Sequence, residues 1–202
     1  MRIKSNDIIR LNELVTLDTH KNIGEQFRNI AEQLFSRCLI KVKENYYKIN
    51  EIEFYYYSEK HRDPYVHRDV NQNKKGCWYF HKKEGSFKGV DITFGATSYY
   101  GGILIRSLES LDNSHCVQRP SKVVDEILVL HGCKKVKEFL NKEPELYLNF
   151  NSQSSCVKEI YNGKRIGLKL KKEDSDGYFL NKKYRFCMNI LSATKDKKGL
   201  TK

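Results

Sequence analysis

Long apolar runs, paired cysteines and prolines are scarce in this sequence, and each scarcity removes a class of protein. No apolar stretch approaches the ~18 residues of a bilayer-spanning helix. The opening MRIKSNDIIRLNEL carries positive charges but lacks the apolar centre of a secretory leader. No membrane association and a cytoplasmic or nucleoid-associated location are therefore expected. Only 3 prolines and 12 glycines occur among 202 residues, which excludes collagen-like and Pro/Gly-rich disordered chains. The six cysteines (Cys38, Cys77, Cys116, Cys133, Cys156 and Cys187) stand one by one with no C-x-x-C pair. Six reduced thiols are expected rather than a disulfide framework. Neither His61 with His67 nor Cys77 with His81 has the clustered spacing of a zinc site, so no metal and no cofactor are expected.

Positive charge, by contrast, is abundant. Lys and Arg total 37 against 25 Asp and Glu, a formal net charge of +12 with a pI near 9.3. Such a surplus favours an anionic partner, nucleic acid being the commonest, although a solvated lysine face has the same composition. The distribution favours the partner. Lys164, Arg165, Lys169, Lys171, Lys172, Lys182, Lys183 and Arg185 alternate with Tyr161, Tyr178, Phe179, Tyr184 and Phe186. Cations for phosphates and aromatics for bases are the physical recipe for holding nucleic acid.

Apolar periodicity places a helix from Asn22 to about Ser36, carried by Ile23, Phe27, Ile30, Ala31, Leu34 and Phe35. Strands follow at 38–42 and 46–55, joined by a turn at 43–45. Strict alternation in the second strand puts Ile49, Glu51, Glu53 and Tyr55 on one face and Ile52 and Phe54 on the other. Residues 58–76 are polar, contain Pro64 and show no period, so they read as a loop long enough to be functional. Further strands are expected at 77–81, 90–94 and 102–108, with Gly85 and Gly89 bounding a turn. Helices are expected at 121–130 and 136–140, a turn at 161–164, and closing strands at 165–170 and 183–189. Helices and strands are segregated, which makes the class α+β: a single domain with a curved, mostly antiparallel sheet flanked by helices. Residues 1–20 read as an arm or short helix, 21–192 as the domain and 193–202 as a basic tail.

Chemistry concentrates in the second strand and the loop after it. Glu53 stands beside Tyr55 near a strand end, and the loop supplies Asp63, His67 and Asp69. A carboxylate among aromatic faces and a histidine suits activation of water. Each piece also has a plain reading: an exposed strand carboxylate, core aromatics, a solvated histidine. Arg106, in an otherwise apolar strand, needs a carboxylate or phosphate partner.

The order of the segments adds weight. The run from Asn29 to Ile40, then Ile52-Glu53-Phe54-Tyr55, Ile92-Thr93-Phe94-Gly95, the stretch from Gly102 to Glu109, Arg119-Pro120-Ser121, Lys164-Arg165-Ile166-Gly167 and Lys183-Tyr184-Arg185-Phe186 follow one another. In that order they resemble the alkyladenine (3-methyladenine) DNA glycosylase family over about residues 25–190. The resemblance implies that family's fold and a monofunctional DNA glycosylase. Such an enzyme hydrolyses the N-glycosidic bond of a damaged or modified base turned out of double-stranded DNA, and acts as a monomer. Glu53 takes the place of the water-activating carboxylate, with Glu51 its paired glutamate. Tyr55 matches the aromatic that stacks on the base, and His67 the histidine completing the pocket. Phe94 falls at the duplex wedge, and Arg106 near the phosphates. Lys164, Arg165, Lys183 and Arg185 would grip the backbone. Asp91 departs from the pattern, standing where the family has a second stacking tyrosine. Two other readings stay open: a nucleic-acid-binding protein on the same fold without turnover, and a hydrolase of free nucleosides.

Overall fold

In the computed structural model the described residues are 1, 3, 10–11, 13–18, 20–83, 86–112, 115–142, 144–150, 159–193 and 197–202. Gly85, Cys156 and Lys195 lie outside them. Helix α1 (Ile23–Arg37) begins where Asn22 Oδ1 accepts the backbone N–H groups of Gly24 and Glu25. This is an N-cap that satisfies two otherwise orphaned donors. Its inner face is Phe27, Ile30, Ala31, Leu34 and Phe35, the stripe that the periodicity predicts.

The chain continues through β1 (Cys38–Val42), β2 (Asn45–Ser58), β3 (His61–Arg62), β4 (Lys75–Lys83), β5 (Ser86–Phe94), β6 (Tyr100–Ser110) and β7 (Cys116–Gln118). After these come α2 (Pro120–Leu130), α3 (Val136–Leu140), β8 (Leu146–Phe150), β9 (Tyr161–Gly163) and β10 (Arg185–Cys187). All strands join one curved antiparallel sheet whose main path is β4-β5-β6-β2-β1-β8. Strand β2 is its spine. One edge of β2 lies along β6 throughout; the other pairs first with β1 and then with β10. The α+β class holds in this form, a half-barrel with few helices.

The helices cover one face of the sheet. There Phe27, Leu34, Ile49, Ile52, Phe54, Val124 and Ile127 merge into one core with alternate residues of β5 and β6. No helix among the described residues is long and apolar enough to cross a membrane. The opening residues are docked: Ile3 N–H donates to Gly76 O, Trp78 N–H donates to Met1 O, and Leu11 and Val15 are buried. At the other end, Thr201 pairs with Asn162 and Leu200 is buried.

Three sequence expectations fail. Ile49 does not share a face with Glu51. The β2/β6 register slips on either side of Glu51, and Asn50 is held out of the ladder by bonds to Ser107 Oγ, Asn189 O and Asn189 N–H. This bulge reverses the alternation. Upstream of it Tyr47 and Ile49 face the core; downstream Ile52, Phe54 and Tyr56 do, which turns Glu51, Glu53 and Tyr55 to the opposite face. The stretch 165–170 is not a strand. It crosses that second face as irregular chain, with Gly167 at φ +79°, and the segment read as a turn at 161–164 holds strand β9 instead.

Candidate active site

The face without helices carries Glu51, Glu53 and Tyr55 from β2, Leu104 and Arg106 from β6, Asp91 from β5 and His81 from β4. Two loops close over it. The long polar loop after β3 is packed and not open: Asp63, Tyr65, Val66 and Gln72 are buried, and Gly101 N–H donates to Gln72 O. The segment after β9 meets it. Arg165 Nη1 donates to Asp63 Oδ2 at 2.6 Å, Lys171 Nζ to Pro64 O, and Tyr65 Oη to Asp174 Oδ2. Asp174 in turn accepts the N–H groups of Phe179 and Leu180.

Between the loops and the sheet lies a small cavity of about 90 Å³, lined by Tyr55, Tyr65, His67, Gln72, His81, Asp91, Leu104 and Leu168. It brings together Tyr55, His67 and Asp91 from distant positions, three of the four residues expected in one base pocket; the fourth, Glu51, is not among its lining residues and is buried against Arg106 and Arg185 instead. That volume is a few waters' worth of space, at roughly 30 Å³ per water.

Glu53 is fully buried and stands one hydrogen bond behind this cavity. Tyr55 Oη donates to Glu53 Oε2 at 2.8 Å, Ile166 N–H donates to Oε1 at 2.7 Å, and Arg106 Nη1 pairs with Oε1 at 3.0 Å. A carboxylate offers about four acceptor sites, so these three donors leave about one for a further donor such as water. Burial, then the negative charge of Glu53, pushes the Tyr55 phenol well above its usual value, so the proton stays on the tyrosine. Glu51 is equally buried and accepts from Arg106 Nε and Arg185 Nε. Two glutamates and two arginines thus balance one another away from water, as buried charges must.

That network corrects several expected roles. Arg106, Arg185 and Arg165 are buried and paired with carboxylates of the protein, so none presents its guanidinium to a DNA phosphate. Arg165 is a clamp. Its guanidinium carbon lies 4.8 Å from the Tyr55 ring centre, 5.4 Å from Tyr65 and 5.5 Å from Tyr184, and it donates to Phe54 O and Phe179 O. Phe94 is corrected too: only 1% exposed, it faces the core beside Phe54 and Tyr56. The alternation that sends Asp91 to the site sends Ile92 and Phe94 inward, and this removes Phe94 as a wedge. Lys164 and Lys183 are exposed, as expected for surface cations, although each reaches a neighbour, Asn181 and Thr201 respectively. Exposed Lys169, Lys171 and Lys172 follow Leu168 on the covering segment, and Arg68, exposed over the Tyr57 ring, adjoins His67.

Sequence reasoning missed Gln72 and His81. His81 Nε2 lies 3.3 Å from Asp91 Oδ1, close enough for ionic attraction but without hydrogen-bond alignment. Burial acts to lower the His81 pKa, but the Asp91 carboxylate outweighs it and leaves the pKa raised. His67, 5.1 Å away ring to ring, is lowered by burial and then by the charge of His81. Gln72 Nε2 donates to Asp91 Oδ2 at 3.3 Å, while Gln72 Oε1 and Asp91 Oδ1 are buried with no hydrogen-bond partner. An unmet buried acceptor costs about 1–3 kcal/mol. The signal in the sequence was the long polar loop; no pattern singled out position 72 within it. Among the described residues, no group of three His, Cys, Asp or Glu side chains is placed to hold a metal ion.

No model of a known protein family matches the chain. It is 32% identical over 183 residues to the uncharacterized protein L759 of Acanthamoeba polyphaga mimivirus, a similarity spanning 77% of this chain and 84% of that protein. Identity at that level over most of both chains places them in one family: this chain belongs to the family of mimivirus protein L759.

Proposed function

We propose that this protein is a monofunctional DNA glycosylase on a fold similar to that of the alkyladenine DNA glycosylases. It would act as a monomer on double-stranded DNA and hydrolyse the N-glycosidic bond of a damaged or modified base turned into the cavity. The observation that carries this reading is the convergence of Tyr55, His67 and Asp91 on one cavity, with the Glu53 carboxylate bonded to the back of Tyr55. An enzyme acting on a stacked base must extrude it and receive it in a shaped pocket, and the exposed Lys169, Lys171 and Lys172 of the covering segment suit the flanking phosphates.

In this reading Glu53 orients the attacking water through its remaining acceptor site and takes its proton as the C1′–N bond breaks. Its negative charge stabilises the oxocarbenium character that develops at the sugar. Arg106 and the Ile166 N–H hold the carboxylate in place. Tyr55, clamped by Arg165, offers a ring face to the base. No lysine is among the described residues that line the cavity, in keeping with a monofunctional reaction without a Schiff base.

A panel of duplex oligonucleotides carrying damaged and modified bases, assayed for abasic-site release, tests the reading. Glu53→Gln is expected to abolish release and leave duplex affinity nearly intact. Release by wild type on no member of the panel defeats the enzyme reading. A second reading, a base-binding protein without turnover, is favoured by one observation: both Glu53 oxygens already have partners in the ligand-free protein. Duplex binding by wild type and Glu53→Gln alike, with no release by either, selects it.

A further inference from the structure

The cavity contains two buried acceptor atoms that accept no hydrogen bond from the described residues. Gln72 and Asp91, 2% and 3% exposed, touch each other through Gln72 Nε2 and Asp91 Oδ2. That contact fixes the amide, since the reverse orientation would set oxygen against oxygen. It leaves Gln72 Oε1 and Asp91 Oδ1 with no hydrogen bond from the described residues, Asp91 Oδ1 having only the ionic contact of His81 Nε2 at 3.3 Å, on residues that line the same cavity.

The surrounding backbone is built to accommodate this pair. A Cβ on Gly102 would stand 2.8 Å from Asp91 Oδ2 and 3.1 Å from Gln72 Nε2. A Cβ on Gly89 would stand 2.4 Å from His81 Nε2. Two strand interiors carry glycine where any side chain would displace the polar group opposite, although glycine weakens a strand.

Resting on the reading of this cavity as a base pocket, we propose that Asp91 and Gln72 select a nucleobase bearing an exocyclic amino group and reject its oxo counterpart. Two acceptors require two N–H donors. An amino group carries two hydrogens, and in guanine a ring N–H stands beside it. An oxo base presents a carbonyl oxygen at the same position, which meets the lone pairs of Asp91 and Gln72; its neighbouring ring N–H can serve one of the two acceptors and leaves the other unpaired. Sites that pair a substrate N–H discriminate strongly against analogues lacking it, because the buried partner is then stranded.

Free bases test the selection without requiring excision. Cytosine against uracil, and adenine against hypoxanthine, are titrated into wild type while the His67 and His81 ring signals are followed by NMR. The amino member of each pair is expected to bind at least about tenfold more tightly. Asp91→Asn, of equal size, and Gln72→Met, which removes the acceptor, should each bring the pair within about threefold, with unchanged circular dichroism reporting the fold. Equal or tighter binding of uracil and hypoxanthine overturns the proposal, as does the absence of any shift with all four bases. Preferential release of oxo bases from duplex would overturn this selection and keep the glycosylase. Amino-base binding with no release from any duplex would keep the selection and defeat the glycosylase.

Discussion

The hydroxyl of Tyr55 donates to the carboxylate of Glu53 across 2.8 Å, so the ring that walls the cavity and the charge behind it are one unit. The bulge at Asn50 makes this possible by turning both onto the face away from the helices. Tyr55→Phe keeps the ring and removes the donor. Hydrogen bonds to charged groups contribute about 1.5–3 kcal/mol, and a loss of that size is expected in urea unfolding. Base stacking by the ring should survive, so a variant that loses base binding while retaining stability would contradict the pairing.

His81 reports on Asp91. Its pKa lies above the ordinary 6.5 because the carboxylate outweighs burial. The folded state then binds the proton more tightly than the unfolded chain. The stabilisation is complete below pH 6.5 and is lost as pH rises through the raised value. Asp91→Asn removes the charge but not the burial, so the His81 pKa should fall below 6.5 in an NMR titration. A value that stays raised in the variant would show that another group holds the proton.

Gly102→Ala tests whether the backbone makes room for the polar pair. Its Cβ would press on Asp91 Oδ2 and Gln72 Nε2. Overpacking at such a site costs about 1–3 kcal/mol. The variant should melt earlier and shift the His81 ring signal, the neighbour that Asp91 attracts. A silent Gly102→Ala, in both stability and spectrum, would mean that the strands part without disturbing the site.

Phe94 belongs to the core, and its replacement should behave accordingly. Phe94→Ala is expected to lose about 3–5 kcal/mol of stability, the usual cost of truncating a buried phenylalanine. Duplex affinity of the remaining folded protein should be unchanged. Loss of duplex binding at full stability would return the side chain to the surface role that its burial denies.

Much of the fold was legible in one dimension. The α1 stripe, strand 38–42 and the helices starting near 120 and at 136 follow from periodicity and start signals, which act locally. Tyr55, His67 and Asp91, named together in the sequence analysis, line one cavity. Cavity partners Gln72 and His81 were not legible, because their importance comes from sheet register and loop packing, which juxtapose residues distant in the chain. The arginines show the same division. Composition counts Arg106, Arg165 and Arg185 as cations for a partner, but only folding reveals that Glu51, Glu53 and Asp63 neutralise them first.

By itself the sequence determined an α+β chain with a positive surplus, its helical stripes, most of its strands and the side chains available for chemistry. Tertiary structure alone decided which faces those strands present, through a single unpaired Asn50 that reverses the alternation of β2. It also decided which charges cancel inside and which remain for a partner. The reason is physical: helical and strand periods are set by near neighbours, whereas a bulge, a buried ion pair and two unmet acceptors exist only once distant segments share the same water-free space.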